Sequence, residues 1–266
     1  MKKIITLLLA LVMCFACIGL TGCNDEDDGK NTLYVYTNAG FAPYEYIDDN
    51  GNVVGVDVEI MKEIGDILGY KVVVKDIDFN QVLVEVQNNR NAVGAAGITQ
   101  RDDRDEIALA SISYATSVQY VIAPAGSLDT AVENGKVPLS ALAGKNIGVQ
   151  MGTTGHYMVD DAISIEEADL YGTGAQVKLY KNAILASDDI GSMVDAVVID
   201  KLPAENIVGA NSDLQCYQLD AEPESYVIYF NKQATDLVAK VNEILEVMIE
   251  NGVINYFTLK HSGGIV

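Results

Sequence analysis

The sequence is poor in several residue types at once: no tryptophan, two histidines, five prolines, and 17 lysines and arginines in 266 residues. Of its four cysteines, Cys14 and Cys17 lie inside an N-terminal apolar run, Cys23 ends it, and only Cys216 remains in the body. That leaves no disulfide framework. A lone Cys216, with neither histidine near it in sequence, reads as a small buried apolar residue and not as a nucleophile. The few basic residues face 38 aspartates and glutamates, for a net charge of −21. This argues against nucleic acid as a partner, because phosphate binding needs a basic surface. It also argues against a polybasic grip on anionic lipid. It names no ligand, since a site is set by local groups and not by the total. No second long apolar run follows Leu20, and no repeat of solenoid period appears. What is present, 49% apolar and 21% charged residues, is the balance of a globular chain with ample core.

The first 30 residues read as a targeting segment. Lys2 and Lys3 precede the apolar stretch from Ile4 to Leu20, which ends in Leu20-Thr21-Gly22-Cys23. A short positive region, an apolar region and small residues before a cut site describe a secretory signal. Cys directly after Thr-Gly resembles the lipobox of bacterial lipoproteins, in which the cysteine becomes the lipid-modified first residue. The expectation is a signal peptide over 1–22, lipidation at Cys23, and an acidic tether over 23–31 built on Asn24-Asp25-Glu26-Asp27-Asp28. Loss of two lysines with the signal takes the charge from −21 to −23. The body is then expected to be soluble and held by lipid alone at the extracytoplasmic face of the cell membrane.

The body alternates strand and helix signals. Thr32–Tyr36 reads as a strand, and Asp48-Asp49-Asn50-Gly51-Asn52 as a hairpin turn. Asp57 is placed to cap a helix carrying Ile60, Met61, Ile64, Ile67 and Leu68, closed by Gly69. Val72-Val73-Val74 has the apolar run of a buried parallel strand. A helix over about 80–88 and a strand at 93–96 follow. A second series opens at Asn146–Gln150 and continues with a helix from Gly152-Thr153-Thr154-Gly155. It then runs through strands near 177–180 and 196–199 and a helix begun by Pro203. A last helix spans about 235–250. Such order predicts α/β units with parallel sheets. The second is inserted into the first, giving one lobe over 32–117 plus 226–266 and another over 122–221. Two strands would cross between them as a hinge, and a cleft between such lobes is the default site.

Five stretches, in this order and spacing, carry a family resemblance. They are Thr37-Asn38-Ala39-Gly40-Phe41-Ala42-Pro43-Tyr44-Glu45-Tyr46, Val54-Gly55-Val56-Asp57-Val58-Glu59, Ala96-Gly97-Ile98-Thr99 with Arg104, Gly148–Gly155, and Val194–Asp200. Over nearly the whole body the sequence resembles the polar amino-acid-binding, family 3 solute-binding proteins of ABC importers. The resemblance implies a two-lobed periplasmic-binding-protein-like fold of type II, each lobe a sheet flanked by helices, joined by a two-strand hinge. It implies a receptor, not an enzyme, that binds a free amino acid between its lobes and delivers it to an ABC transporter permease. A monomer without cofactor or metal is expected.

An α-amino acid carries a carboxylate and an ammonium, so its site needs a cation and an anion that converge. Arg104 is the candidate for the carboxylate, because a guanidinium makes a bidentate pair. From the residues alone, a surface ion pair with Asp102 or Asp103 fits Arg104 as well; the family spacing of five after Thr99 selects it. Arg101 stands where the family usually has an uncharged residue, and reads as a solvated surface charge. Asp200 ends an apolar strand and suits either the ligand ammonium or a helix N-cap. By the resemblance, Thr99 and the Gly97 carbonyl pair with carboxylate and ammonium, and Phe41 and Phe79 sandwich the ligand side chain. Thr154 lies at a helix start, where free N–H groups favour a carboxylate. Asn38 takes a position where binders of basic amino acids often carry Asp. It favours a neutral polar ligand over a basic one, unless Glu45 substitutes. Met151, where the family commonly has a polar residue, leans towards a less polar or sulfur-containing ligand side chain. Gly152–Gly155 is no phosphate loop, since no Gly-Lys-Ser/Thr follows. Rival readings are a cyclohexadienyl or arogenate dehydratase-like enzyme using His156 or Glu45, and a ligand-sensing partner acting in trans.

Overall fold

A computed structural model describes residues 31–263. The signal segment, Cys23 and all of the tether except Asn31 lie outside the described residues. The chain opens with β1 (Thr32–Thr37), a hairpin of β2 (Tyr46–Ile47) and β3 (Val53–Val54), then α1 (Val56–Leu68) and β4 (Lys71–Asp76). Next come α2 (Phe79–Asn88), β5 (Ala92–Gly94), the single turn α3 (Asp102–Asp105) and β6 (Leu109–Ala110). β7 (Ala115–Ser117) leads into β8 (Gln119–Pro124), β9 (Asn146–Gln150), α4 (Thr154–Ser164) and β10 (Gln176–Tyr180). α5 (Ala183–Asp188), β11 (Ala196–Asp200), α6 (Lys201–Ala210) and β12 (Leu214–Gln218) follow. Then come β13 (Glu224–Tyr226), β14 (Tyr229–Phe230), α7 (Thr235–Glu250) and α8 (Val253–His261).

Two five-stranded sheets organise these elements. The first has the order β4-β1-β5-β14-β6 and the second β10-β9-β11-β8-β12. In each, three neighbouring strands are parallel and two antiparallel strands complete the sheet. The second sheet is inserted between β7 and β13, which pair antiparallel from Glu224 opposite Ser117 to Tyr226 opposite Ala115. These two strands are the connection between a pair of α/β lobes.

Apolar periodicity explains how each sheet is covered. Leu33 and Val35 of β1 pack with Ile60, Met61 and Ile64 of α1 and with Val241, Ile244, Leu245 and Met248 of α7. The other face of that sheet packs Val82 and Val86 of α2 against Ala92, Ile98 and Tyr229. The second lobe closes over Ile147, Val149, Val159, Val198 and Tyr217. Each such fully buried aliphatic side chain contributes about 1.5–3 kcal/mol.

Several local expectations change. Asp57 does not cap α1. The N-cap is Gly55, at φ 135, where a Cβ would meet the Tyr44 carbonyl oxygen at 2.1 Å. Asp57 instead turns inward, accepting the Gly97 N–H at 2.8 Å and the Tyr114 hydroxyl at 2.7 Å. The Val72–Val74 run belongs to β4, which is an edge strand and only half-buried. Asp200 occupies the N-cap position of α6 but makes no side-chain capping bond. Cys216 is half-buried on the edge strand β12. A further helix, α8, docks on α1 and α7.

Candidate functional site

Asn38, Phe41, Phe79, Gly97, Thr99, Arg104, Thr154 and Asp200 all line one cavity, together with Glu45, Ala96, Gln150 and Thr153. Their positions follow from topology. Asn38 and Phe41 come just after β1, Phe79 after β4, Gly97 and Thr99 after β5, Thr154 after β9, and Asp200 ends β11. The carboxyl ends of the parallel strands of both sheets thus point at the same space, as in open α/β sheets generally.

Arg104 sits on the one-turn α3 and is 5% exposed. One terminal nitrogen donates to the Thr99 carbonyl at 2.7 Å, within its own lobe. The other donates to the Gly152 carbonyl at 2.9 Å, in the opposite lobe. Its guanidinium carbon stands 5.6 Å from the Phe79 ring centroid. Among the described residues no carboxylate forms an ion pair with it. Burial, and then the Arg101 charge, lowers its pKa, but guanidinium remains cationic.

Facing it are carboxylates in excess. Asp200, 7% exposed, has an Oδ1 without a hydrogen-bond partner. Burial, and then the Glu224 carboxylate, pushes it up to about 7 against the lowering effect of the Tyr226, Ser117 and Gln119 side chains. Glu45, 1% exposed, has an Oε2 without a partner; burial, and then Asp57, raises it well above the usual carboxylate range. Beneath the cavity, burial raises Asp57 to about 6 against the lowering effect of the Gly97 and Tyr114 hydrogen bonds. The Thr154 Oγ1 is a third buried atom of the lining without a partner. Buried polar atoms in this condition are uncommon, because each forfeits its hydration. Thr154 also begins α4, whose first N–H groups have no intrahelical acceptor.

Other lining residues are held by neighbours. The Thr99 hydroxyl donates to Glu224 at 2.6 Å, and Glu224 also accepts from Gln119 at 2.6 Å. Gly97, at φ 53, brings its backbone so close to the Phe41 ring that a Cβ would sit 2.6 Å from it. Phe41 therefore serves both the core and the cavity wall.

The amide of Asn38 is doubly engaged. It donates to the Ile77 carbonyl at 2.7 Å and accepts from Gln150 at 2.8 Å, across the cleft. Sequence reasoning missed Gln150, although it ends β9 as Asp200 ends β11, and that equivalence is a signal. Met151 does not line the cavity and is exposed. His156 is not in the lining either: its Nδ1 accepts the Gly152 N–H at 3.2 Å and its ring packs on Tyr157. Arg101 is not simply solvated. Its guanidinium carbon lies 4.2 Å from the Tyr157 ring centroid, in the other lobe.

Two α/β lobes joined by a strand pair, with a cavity between them lined by buried aromatic and charged groups, define the class of two-lobed solute-binding proteins. The chain belongs to the bacterial extracellular solute-binding proteins, family 3, which match residues 33–263. It is 29% identical over 259 residues to the arginine-binding extracellular protein ArtP of Bacillus subtilis, covering 95% of this chain and 94% of that protein. It is 22% identical to the L-cystine-binding protein TcyJ of Escherichia coli, over 89% of this chain and 85% of that one. An ancestral arginine-binding protein bound to arginine superposes with a TM-score of 0.76 at 29% identity, covering 87% of this chain and 98% of that one. The P235GK mutant of ArgBP from T. maritima does so with 0.76 at 26%, covering 88% and 96%. Among the described residues no helix is long and apolar enough to cross a membrane.

Proposed function

We propose that this protein is an extracytoplasmic receptor that closes on an amino acid and delivers it to an ABC importer. The observation that carries this is the pairing of Arg104, buried without a carboxylate partner, with Asp200, whose buried Oδ1 has no donor, across one cavity. A zwitterion meets both needs. Its carboxylate would take Arg104 and the N–H groups that open α4; its ammonium would take Asp200 and the Gly97 carbonyl. Phe41 and Phe79 would flank its side chain.

The charge balance favours a basic ligand. Against the neutral preference drawn from Asn38, whose amide is engaged by Ile77 and Gln150, stand the acidic groups of the lining. Glu45, raised by burial and by Asp57 beside it, adds a second acidic group to the lining, and a second cationic group on the ligand would favour its ionised form. The names of ArtP and of the ancestral protein point the same way, so L-arginine is the first ligand to test. Lipidation at Cys23 after removal of 1–22 would hold the receptor, a monomer, at the outer membrane face. The lobes 32–117 plus 226–266 and 122–221 would move about β7 and β13. Calorimetric titration of the chain from Asn24 onward with each proteinogenic L-amino acid tests the reading. Binding of a basic one supports it, and binding of none contradicts it.

A further inference from the structure

Among the described residues, four hydrogen-bond, ion-pair or cation–π contacts of side chains bridge the cleft: Arg104 to Gly152, Gln150 to Asn38, Lys181 to Asp78 at 3.7 Å, and Arg101 to Tyr157. The first two involve cavity residues, and the third joins two highly exposed side chains. The fourth lies outside the cavity and has a defined geometry. The Arg101 guanidinium carbon stands 4.2 Å from the Tyr157 ring centroid, while its Nε donates to Asp103 at 2.9 Å. The Arg101 side chain is 27% exposed, so the planar cation is oriented by its neighbour and partly shielded from water.

Placement gives the contact its meaning. Arg101 is the N-cap residue of α3, the turn that presents Arg104 to the cavity. Tyr157 lies in the first turns of α4, the helix whose start presents Thr153 and Thr154 to the same cavity. The two elements that face each other across the ligand space are thus also joined on their outer side.

We propose that the Arg101–Tyr157 pair is an interlobe latch: a positioning contact that raises ligand affinity by stabilising the closed arrangement without touching the ligand. The proposal rests on the amino-acid-receptor reading above. A contact made only when the lobes are together shifts the open–closed balance, and apparent affinity follows the population of the binding-competent state. A partly exposed cation–π pair supplies an effect of about two- to fivefold. The gain belongs to the dissociation rate, because the contact forms after the ligand is seated.

Wild-type protein is first titrated with each proteinogenic L-amino acid, and the tightest binder, L-arginine on the reading above, becomes the probe. Arg101→Ala and Tyr157→Leu should each weaken it by about two- to fivefold, as a faster release in a chase with unlabelled ligand. The double variant should be no worse than the weaker single, the signature of one shared contact. Tyr157→Phe should bind as wild type, and ligand-free melting should be unchanged in all four. Additive losses, or affinities equal to wild type, overturn the latch while leaving the receptor reading intact. Absence of any wild-type binding overturns both.

Discussion

The guanidinium of Arg104 holds the carbonyl of Thr99 in its own lobe at 2.7 Å and that of Gly152 in the opposite lobe at 2.9 Å. A buried cation bound to two neutral carbonyls keeps its full charge to offer, and it is fixed in direction by both lobes. Removing it should abolish binding without unfolding the protein. Arg104→Ala is expected to weaken the amino-acid complex by about 3 kcal/mol or more, since the partner carboxylate would stay desolvated and unpaired. Arg104→Lys should recover only part of this, because the fork geometry is lost. Calorimetry on both variants checks this. Wild-type affinity in Arg104→Ala would remove the residue from the site.

The protonation of Asp200 should affect stability with a sign opposite to its proposed binding role. Its folded-state value, about 7, is raised by burial and Glu224. Between the usual carboxylate range and that value, the folded ligand-free protein holds a proton that the unfolded chain has lost. The stability this gives is therefore present at low pH and lost as pH rises through about 7. Asp200→Asn removes the loss. Without ligand, the variant should melt higher than wild type near pH 8 and show little difference near pH 5, while binding no amino acid.

Ligand binding should then be linked to proton release. An ammonium beside Asp200 requires the ionised carboxylate, so affinity should fall as pH drops below about 7, the value to which burial raises that group. The rise in melting temperature on adding L-arginine should be larger near pH 8 than near pH 5.5. Calorimetry in buffers of different ionisation heat should detect the released proton near pH 6.

Glu45 should separate ligand classes. Glu45→Gln removes the second carboxylate of the lining and keeps its size. L-arginine should lose about tenfold or more in affinity, whereas L-glutamine should change little, because only the former offers a second charge. Equal losses for both would assign Glu45 to the wall and not to specificity.

Gly97 tests how closely the backbone supports the cavity. Gly97→Ala is strained both by its φ of 53 and by the 2.6 Å approach of a Cβ to the Phe41 ring. It should cost about 1–3 kcal/mol of stability and displace Phe41 from the wall. Chemical denaturation with and without ligand reads both effects.

Much of this was legible from sequence because it depends on chain order. β-branched and apolar runs and a helical apolar stripe located β1, α1, β9 and β11, the family resemblance picked out the residues beside them, and residues just past strand ends converge once the sheets are parallel. Hence Asn38, Phe41, Thr99 and Asp200 reach one cavity. What stayed hidden depends on how distant pieces meet. Asp57 had the spacing of a cap, yet the backbone of Gly55 takes that place and the carboxylate turns towards Gly97 and Tyr114. The neutrality of Asn38 was legible, but not that Gln150 stands opposite its amide. Arg101 looked like surface because nothing within its own segment announces Tyr157, 56 positions later and in the other lobe.

The central claim is that one end of a zwitterion meets Arg104 and the other Asp200. A calorimetric comparison of L-arginine with agmatine, which keeps the guanidinium and an amine but has no carboxylate, tests it most directly. L-arginine should bind, and agmatine should be weaker by about a hundredfold or more, as expected for the loss of a bidentate charged pair in a desolvated site. Equal binding of the two would contradict the account.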